Sequence, residues 1–196
     1  ILRAIPQARL LLKSHTASDI QIWNHLVERF ASEGITPERL ECLPRAPSYT
    51  EHLEQYQRLD VALDTFPYNG TTTTCEALFM GVPVITLSGD RHAARVGRSL
   101  MSRIGLPEFV ARSPQEYVAI AAGWAADPSP LRALRAGLRD QFERSPLRDE
   151  VGFTRSLEVA LRQMWRLWCA GESPRVFDVA CPNSETDQSA RDKKKA

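Results

Sequence analysis

The chain has 196 residues, of which 43% are hydrophobic and 25% charged, with a formal net charge of +1. These values exclude wholesale disorder and the fibrous classes, and 25 basic residues against 24 acidic ones exclude a general electrostatic binder of nucleic acid. No stretch reaches the roughly 18 uninterrupted apolar residues that a membrane helix needs.

Ile1 to Pro6 show no secretory signal and no initiator Met, so the chain reads as the middle of something longer. Leu10-Leu11-Leu12 predicts a strand. Ile20, Trp23, Val27 and Phe30 share one face of a helix that Gly34 ends. Leu40 to Leu43 predicts a second strand, and Leu53, Tyr56 and Leu59 a shorter helix. Val61-Ala62-Leu63 and the run from Val82 to Leu87 are the clearest strands, separated by a short helix from Cys75 to Met80 that Gly81 closes. This alternation predicts an α/β fold: a parallel sheet with helices on both faces and right-handed connections.

After Leu87 the pattern turns wholly helical. Four helices are expected: Arg91 to Ile104, one marked by Tyr117 and Trp124, one by Leu131, Leu138 and Phe142, and a long one from Phe153 to Trp168. Trp165 and Trp168 recur at helical spacing with Leu and Met, which predicts core packing rather than ligand stacking. From Pro182 the composition is polar, and residues 176–196 are expected to be a disordered tail after a domain over residues 1–175. Lys193 to Lys195 lie in that tail among acidic neighbours and read as solvated. Cys42, Cys75, Cys169 and Cys181 fit no CxxC motif and read as buried or half-buried thiols of a reducing cytoplasm. No internal repeat is visible.

Ligands of open parallel sheets bind beyond the carboxyl ends of the strands. That rule selects the loops Ser14-His15-Thr16, Pro44 to Thr50, Thr65 to Thr72 and Ser88-Gly89-Asp90, all on one edge of the sheet. The third loop carries the most information. A strand ends at Asp64, Pro67 and Asn69-Gly70 break the backbone, and Thr71 to Thr74 open a helix. A helix N-terminus offers unsatisfied N–H groups and about half a positive charge. With threonine hydroxyls added, it suits a phosphate. Plain capping is the competing account, because Thr73-x-x-Glu76 spells a capping box. One cap needs one threonine, and four favour the phosphate. The segment is neither a P-loop nor a GxGxxG turn. His52 stands one loop away on the same edge, with Glu51 and Glu54 nearby. His92 and Arg95 begin the next helix and read as surface residues; His15 has no evident partner.

The stretch Leu63-Asp64-Thr65-Phe66-Pro67-Tyr68-Asn69-Gly70-Thr71-Thr72-Thr73-Thr74-Cys75-Glu76-Ala77-Leu78, followed by Met80-Gly81-Val82-Pro83-Val84, resembles the C-terminal catalytic half of the O-linked N-acetylglucosamine transferase family in its bacterial SPINDLY-like form. Arg9 to Ser14, Ala93 to Gly97, Ser145-Pro146-Leu147, Met164-Trp165 and Cys169-Ala170-Gly171 extend the resemblance to roughly residues 1–175. The resemblance implies the C-terminal, Rossmann-like domain of a GT-B glycosyltransferase. It also implies an inverting transfer of N-acetylglucosamine from UDP-N-acetylglucosamine to Ser or Thr of proteins.

On this resemblance, Thr71, Thr72 and Thr73 hold the donor diphosphate and Glu76 takes the ribose hydroxyls. Ala46, Pro47 and Ser48 approach the nucleobase through backbone groups, and His52 and Gln55 line the nucleoside pocket. Animal members of the family carry His where Thr71 stands and Asp where Glu76 stands. No metal and no further cofactor are expected, and no general base is identified. The expected partners are the nucleotide sugar, a protein acceptor, and the family's N-terminal half, with a preceding strand, a phosphate-contacting lysine and tetratricopeptide repeats. Without that half, the chain is expected to be inactive alone. Nucleic acid and membrane are not expected partners, and the expected location is cytoplasmic. Two alternatives stand beside this reading: a SPINDLY-type fucosyltransferase using GDP-fucose, and a non-catalytic module with a vestigial nucleotide site.

Overall fold

Parallel pairing organises the computed structural model, which describes residues 1–14 and 19–179. Strand β1 (Leu10–Lys13) pairs in register with β2 (Leu40–Leu43), Leu10 opposite Leu40 and Lys13 opposite Leu43. Strand β3 (Ala62–Leu63) pairs with β4 (Val84–Leu87), and β4 pairs with β5 (Val110–Ala111), all parallel. Helices α1 (Ile20–Ser32), α2 (Tyr49–Glu54), α3 (Thr72–Phe79) and α4 (Val96–Arg103) fill the connections, and α5 (Pro114–Ala126) and α6 (Pro128–Glu143) follow. The fold class is α/β with parallel sheets, as the sequence predicts. The residues divide into two units, Ile1–Glu143 and Arg144–Ala196.

In the first unit, β4 is the centre. Val84, Ile85 and Thr86 are each no more than 2% exposed, as expected for a strand covered on both faces. Helices α4 and α5 pack on it, and α3 packs on α6. Leu78, Met101, Phe109 and Leu138 complete this core, with Phe109 stacked on Trp124 at 4.8 Å. Arg135 Nε donates to Gly81 O at 3.2 Å, and the Arg139 guanidinium lies 4.1 Å above the Phe79 ring. Gly81, at φ 74°, makes the left-handed turn from α3 into β4. At the start of the chain, Arg39 donates to the carbonyls of Leu2, Ile5 and Ala8 at 2.8–2.9 Å and so ties the first residues to the turn before β2.

Several expectations change. The strands do not form one sheet: β1–β2 and β3–β4–β5 are separate among the described residues. An apolar cavity of about 320 Å³ lies between the edge strands, lined by Ala8 and Leu10 on one side and Leu63, Phe66, Tyr117 and Val118 on the other. The chain beyond Leu87 is not wholly helical, because Val110–Ala111 adds a strand. The expected helix from Arg91 to Ile104 is broken at Arg95 (φ −121°, ψ −1°) into a 3-10 turn over His92–Ala94 and α4. Bonds to the neighbouring loop cause the break: Asn69 N donates to Ala93 O at 2.9 Å, and Gly89 N to Ala94 O at 2.8 Å. Cys169 is exposed, whereas Cys42 and Cys75 are half-buried as expected.

The second unit contains α7 (Glu150–Cys169), capped by Asp149, whose carboxylate accepts from Gly152 N at 2.9 Å. Its tryptophans are not core: Trp165 is 64% and Trp168 75% exposed. Helical spacing gives α7 an apolar face, but no buried residue lies on it. Of the expected tail, Cys181 and all residues from 180 onward lie outside the described residues, as does the loop position His15-Thr16.

Close packing at Gly97 is testable. A Cβ there would sit 2.8 Å from Thr86 Cβ and meet the Thr86 hydroxyl and the Asp64 carboxylate, whereas one at Gly123 meets nothing within 4 Å. Gly97→Ala is expected to lower stability by about 1–3 kcal/mol in urea unfolding, and Gly123→Ala to raise it by about 0.5–1 kcal/mol. Equal effects at the two positions would overturn the close-approach account.

Candidate functional site

Each strand is followed by a segment at its carboxyl end: Lys13 closes β1, and the 44–48, 64–71 and 88–91 loops follow β2, β3 and β4. The 64–71 loop is the most firmly held. Asp64, 6% exposed, accepts from Gly70 N at 2.7 Å through Oδ1 and from the Thr86 hydroxyl at 2.7 Å through Oδ2. Burial pushes its carboxyl above the usual range, and these two hydrogen bonds pull it back. Asn69, 1% exposed, donates to Thr65 O at 3.0 Å and accepts from Gly97 N at 3.3 Å. The Tyr117 hydroxyl donates to Asp64 O at 2.9 Å, and burial raises the pKa of this phenol. The Phe66–Pro67 peptide bond is cis.

This loop fixes where α3 begins. Thr71 is its N-cap residue, and it makes no side-chain cap bond. Thr71, Thr72 and Thr73 are exposed, while Thr74 is buried. The first-turn amides of a helix have no intrahelical acceptors, so they stand open beside exposed hydroxyls. The capping box that the competing account placed over Thr73 and Glu76 does not form, because the helix begins from its N-cap at Thr71. Glu76 instead turns sideways, its Oε2 lying 2.9 Å from His52 Nε2 and 3.2 Å from the Tyr56 hydroxyl. Those two partners offer the carboxylate ring N–H and phenol O–H donors, which a cap N–H one turn away would have to displace.

His52 and Tyr56 stand four residues apart in the segment where α2 passes into a 3-10 turn (Gln55–Arg58), their rings in edge contact at 5.6 Å. The Tyr56 hydroxyl also reaches Thr73 O at 3.3 Å, and burial beside the Glu76 charge pushes its pKa up. His52 Nδ1 meets the Lys13 ammonium. The side chains of His52 and Glu76 are 24% and 11% exposed, so the cluster is sheltered yet open to solvent.

The other predicted residues are nearby. Ala46 is half-buried and Pro47 exposed at the end of β2. Ser48 caps α2: its hydroxyl accepts from Glu51 N at 3.2 Å and donates to Glu51 Oε1 at 3.0 Å, and its carbonyl accepts from His52 N at 3.0 Å. Gln55 Nε2 donates to Pro44 O at 3.5 Å, and its Oε1 is buried without a partner among the described residues. His92 and Arg95 are exposed beyond β4 and do not join the cluster. Sequence reasoning missed Lys13 and Tyr56. The four-residue step from His52 could have found Tyr56, and the pairing of β1 with β2 could have found Lys13.

Residues 1–157 match the model of glycosyl transferase family 41. The chain belongs to that family. This family-41 chain is 44% identical over 90% of its length to the SPINDLY protein of Oryza sativa subsp. japonica, covering 19% of that protein. It is 33% identical over 95% of its length to the UDP-N-acetylglucosamine–peptide N-acetylglucosaminyltransferase of Caenorhabditis elegans, covering 16% of it. A mutant of Thermobaculum terrenum O-GlcNAc transferase superposes with a TM-score of 0.80 at 42% identity, over 87% of this chain and 32% of that one. The chain thus spans about a fifth of the length of these two relatives and a third of the solved chain.

The anchor under the threonine turn can be checked directly. Asp64→Ala leaves the Gly70 N–H and the Thr86 hydroxyl unpaired, a loss of about 1–3 kcal/mol. Amide hydrogen exchange at Gly70 is expected to quicken far more than at Leu78 in the middle of α3. Unchanged exchange at Gly70 would show that the turn holds without the carboxylate.

Proposed function

We propose that this chain forms the donor-binding part of an inverting protein O-glycosyltransferase, taking N-acetylglucosamine from UDP-N-acetylglucosamine to Ser or Thr of proteins. The observation that carries the reading is the start of α3: an uncapped helix N-terminus with three exposed threonines, one turn before a carboxylate aligned by His52 and Tyr56. The names of the nematode and Thermobaculum relatives support the sugar and the acceptor class.

The acceptor hydroxyl attacks the anomeric carbon: a new C–O bond forms there, the bond to the diphosphate breaks, and the hydroxyl proton passes to solvent. Negative charge grows on the leaving diphosphate. The amides of Thr72 and Thr73 and the hydroxyls of Thr71 to Thr73 meet it with no reorganisation. These dipoles supply the neutralisation that a metal would otherwise give, so the reading needs none. Glu76 accepts the ribose hydroxyls, while His52, Gln55 and the backbone of Ala46, Pro47 and Ser48 line the nucleoside side. In a protein of the relatives' length, the acceptor-side half of a GT-B fold and any tetratricopeptide repeats come from the remainder. The cavity between β1 and β3 has the apolar lining to receive a further strand from it. The cytoplasm is the setting that fits such acceptors. Among the described residues, no helix is long and apolar enough to cross a membrane.

The names of the rice and nematode relatives both carry UDP-N-acetylglucosamine, and GDP is the second nucleotide to test, for the SPINDLY-type fucosyl alternative. In calorimetric titrations, UDP is expected to bind more tightly than GDP. Thr72→Ala should weaken UDP by about 10- to 150-fold, the loss of one charge-assisted hydrogen bond of roughly 1.5–3 kcal/mol. Preference for GDP would move the reading to a GDP-fucose donor. Unchanged affinity in Thr72→Ala would overturn the phosphate cradle. Binding of neither nucleotide would mean either a vestigial site or a site that needs the family's N-terminal half, and a titration with the upstream segment restored decides between them.

A further inference from the structure

We propose that Lys13 is a positioning residue that holds His52 neutral, with its single ring proton on Nε2, and thereby orients the Glu76 carboxylate. The consequence for the donor rests on the reading above, but the inference about protonation does not.

The argument follows from donors and acceptors. Lys13 ends β1 at the surface, and its ammonium contacts His52 Nδ1. An ammonium has three N–H donors and no acceptor. His52 Nδ1 must therefore accept, which requires a bare lone pair there. A neutral imidazole carries one proton, and Nε2 is the site left for it. From Nε2 that proton points at Glu76 Oε2, 2.9 Å away. The chain of donation runs from Lys13 through His52 to Glu76, and Tyr56 adds a second donor to the same oxygen at 3.2 Å.

The charged and titratable groups facing His52 are Lys13 from β1, Glu76 from α3, Tyr56 from the 3-10 turn, and Tyr49 on its own helix, whose ring centroid lies 6.0 Å away. Burial lowers the Lys13 pKa, and the nearby Glu76 carboxylate raises it. With Lys13 in place, His52 is a neutral donor between two opposite charges. Without Lys13, nothing holds Nδ1 bare, and a ring proton moved to Nδ1 would leave the Glu76 carboxylate without its His52 donor.

The test is nitrogen-15 NMR of the imidazole rings, with His52 assigned by the loss of its signals in His52→Gln. At pH 7 the unmodified chain is expected to show Nε2 protonated and Nδ1 bare. In Lys13→Met the ratio of Nδ1-protonated to Nε2-protonated His52 should rise about tenfold, the effect of losing one hydrogen bond from a charged donor that selects the tautomer. Lys13→Arg should restore the unmodified pattern. A proton on Nδ1 in the unmodified chain would overturn the proposal even if Lys13→Met failed to fold. So would an unchanged ratio in a folded Lys13→Met. A UDP titration of the unmodified chain keeps the two readings apart. If His52 behaves as stated and UDP does not bind, the donor reading falls and the role of Lys13 stands. If UDP binds and the His52 ratio ignores Lys13, the reverse holds.

Discussion

A buried carboxylate at the end of β3 sets the geometry of everything above it. Among the described residues Asp64 pairs with no cation; a backbone N–H of its own loop and a hydroxyl of the neighbouring strand donate to it. Burying it raises its pKa, so the charged form is tolerated only while both donors stay in place. This couples the loop from Thr65 to Thr71 to the middle of the sheet. Gly97 is small because Asp64 and Thr86 occupy the space where a Cβ would go. Asn69 then binds Gly97 N and Ala93 O, so the loop and the start of α4 are fixed together. The break at Arg95 is the cost of that arrangement: a continuous helix from Arg91 would deny Asn69 its partners.

The strand and helix pattern in the first unit was largely legible because its signals are local. Apolar runs at Leu10, Leu40, Ala62 and Val84 fall where strands form, and Gly34 and Gly81 end helices by the left-handed turn they alone adopt cheaply. The misses were non-local. Strand β5 has two residues, too few for any period, and exists only because β4 offers it an edge. The break before α4 depends on hydrogen bonds to a loop more than twenty residues earlier. The apolar spacing of α7 announced a buried face, yet spacing reports only that one face is apolar and says nothing of what covers it.

The site divides along the same line. Thr71 to Thr74 stand out because four β-branched residues in a row are poor helix formers, and their place after a strand and an Asn-Gly turn suggests a helix start. The pairing of Glu76 was not legible. A sequence motif can say that a Glu stands three residues after a Thr, but the cap N–H and the His52–Tyr56 pair compete for the same carboxylate. The competition is decided by the docking of α2 against α3. Lys13 was hidden for the same reason, since it lies 39 residues from the imidazole it meets.

These positions place two opposite demands on one turn of helix. The amides at Thr72 and Thr73 suit an anion, whereas Glu76 four residues later suits hydroxyl donors and repels an anion. Four residues of helix advance about 6 Å along the axis. On the donor reading, that separation lets one helix address the diphosphate and the ribose of a nucleoside diphosphate together, provided the carboxylate does not swing back to the helix start. His52 and Tyr56 supply the restraint. A neutral restraint serves better than a charged one, because an imidazolium would hold the carboxylate as an ion pair and weaken it as an acceptor. Lys13 removes that option by occupying Nδ1. The positive charge thus sits one residue further out, where it shapes the protonation of His52 without binding the carboxylate itself.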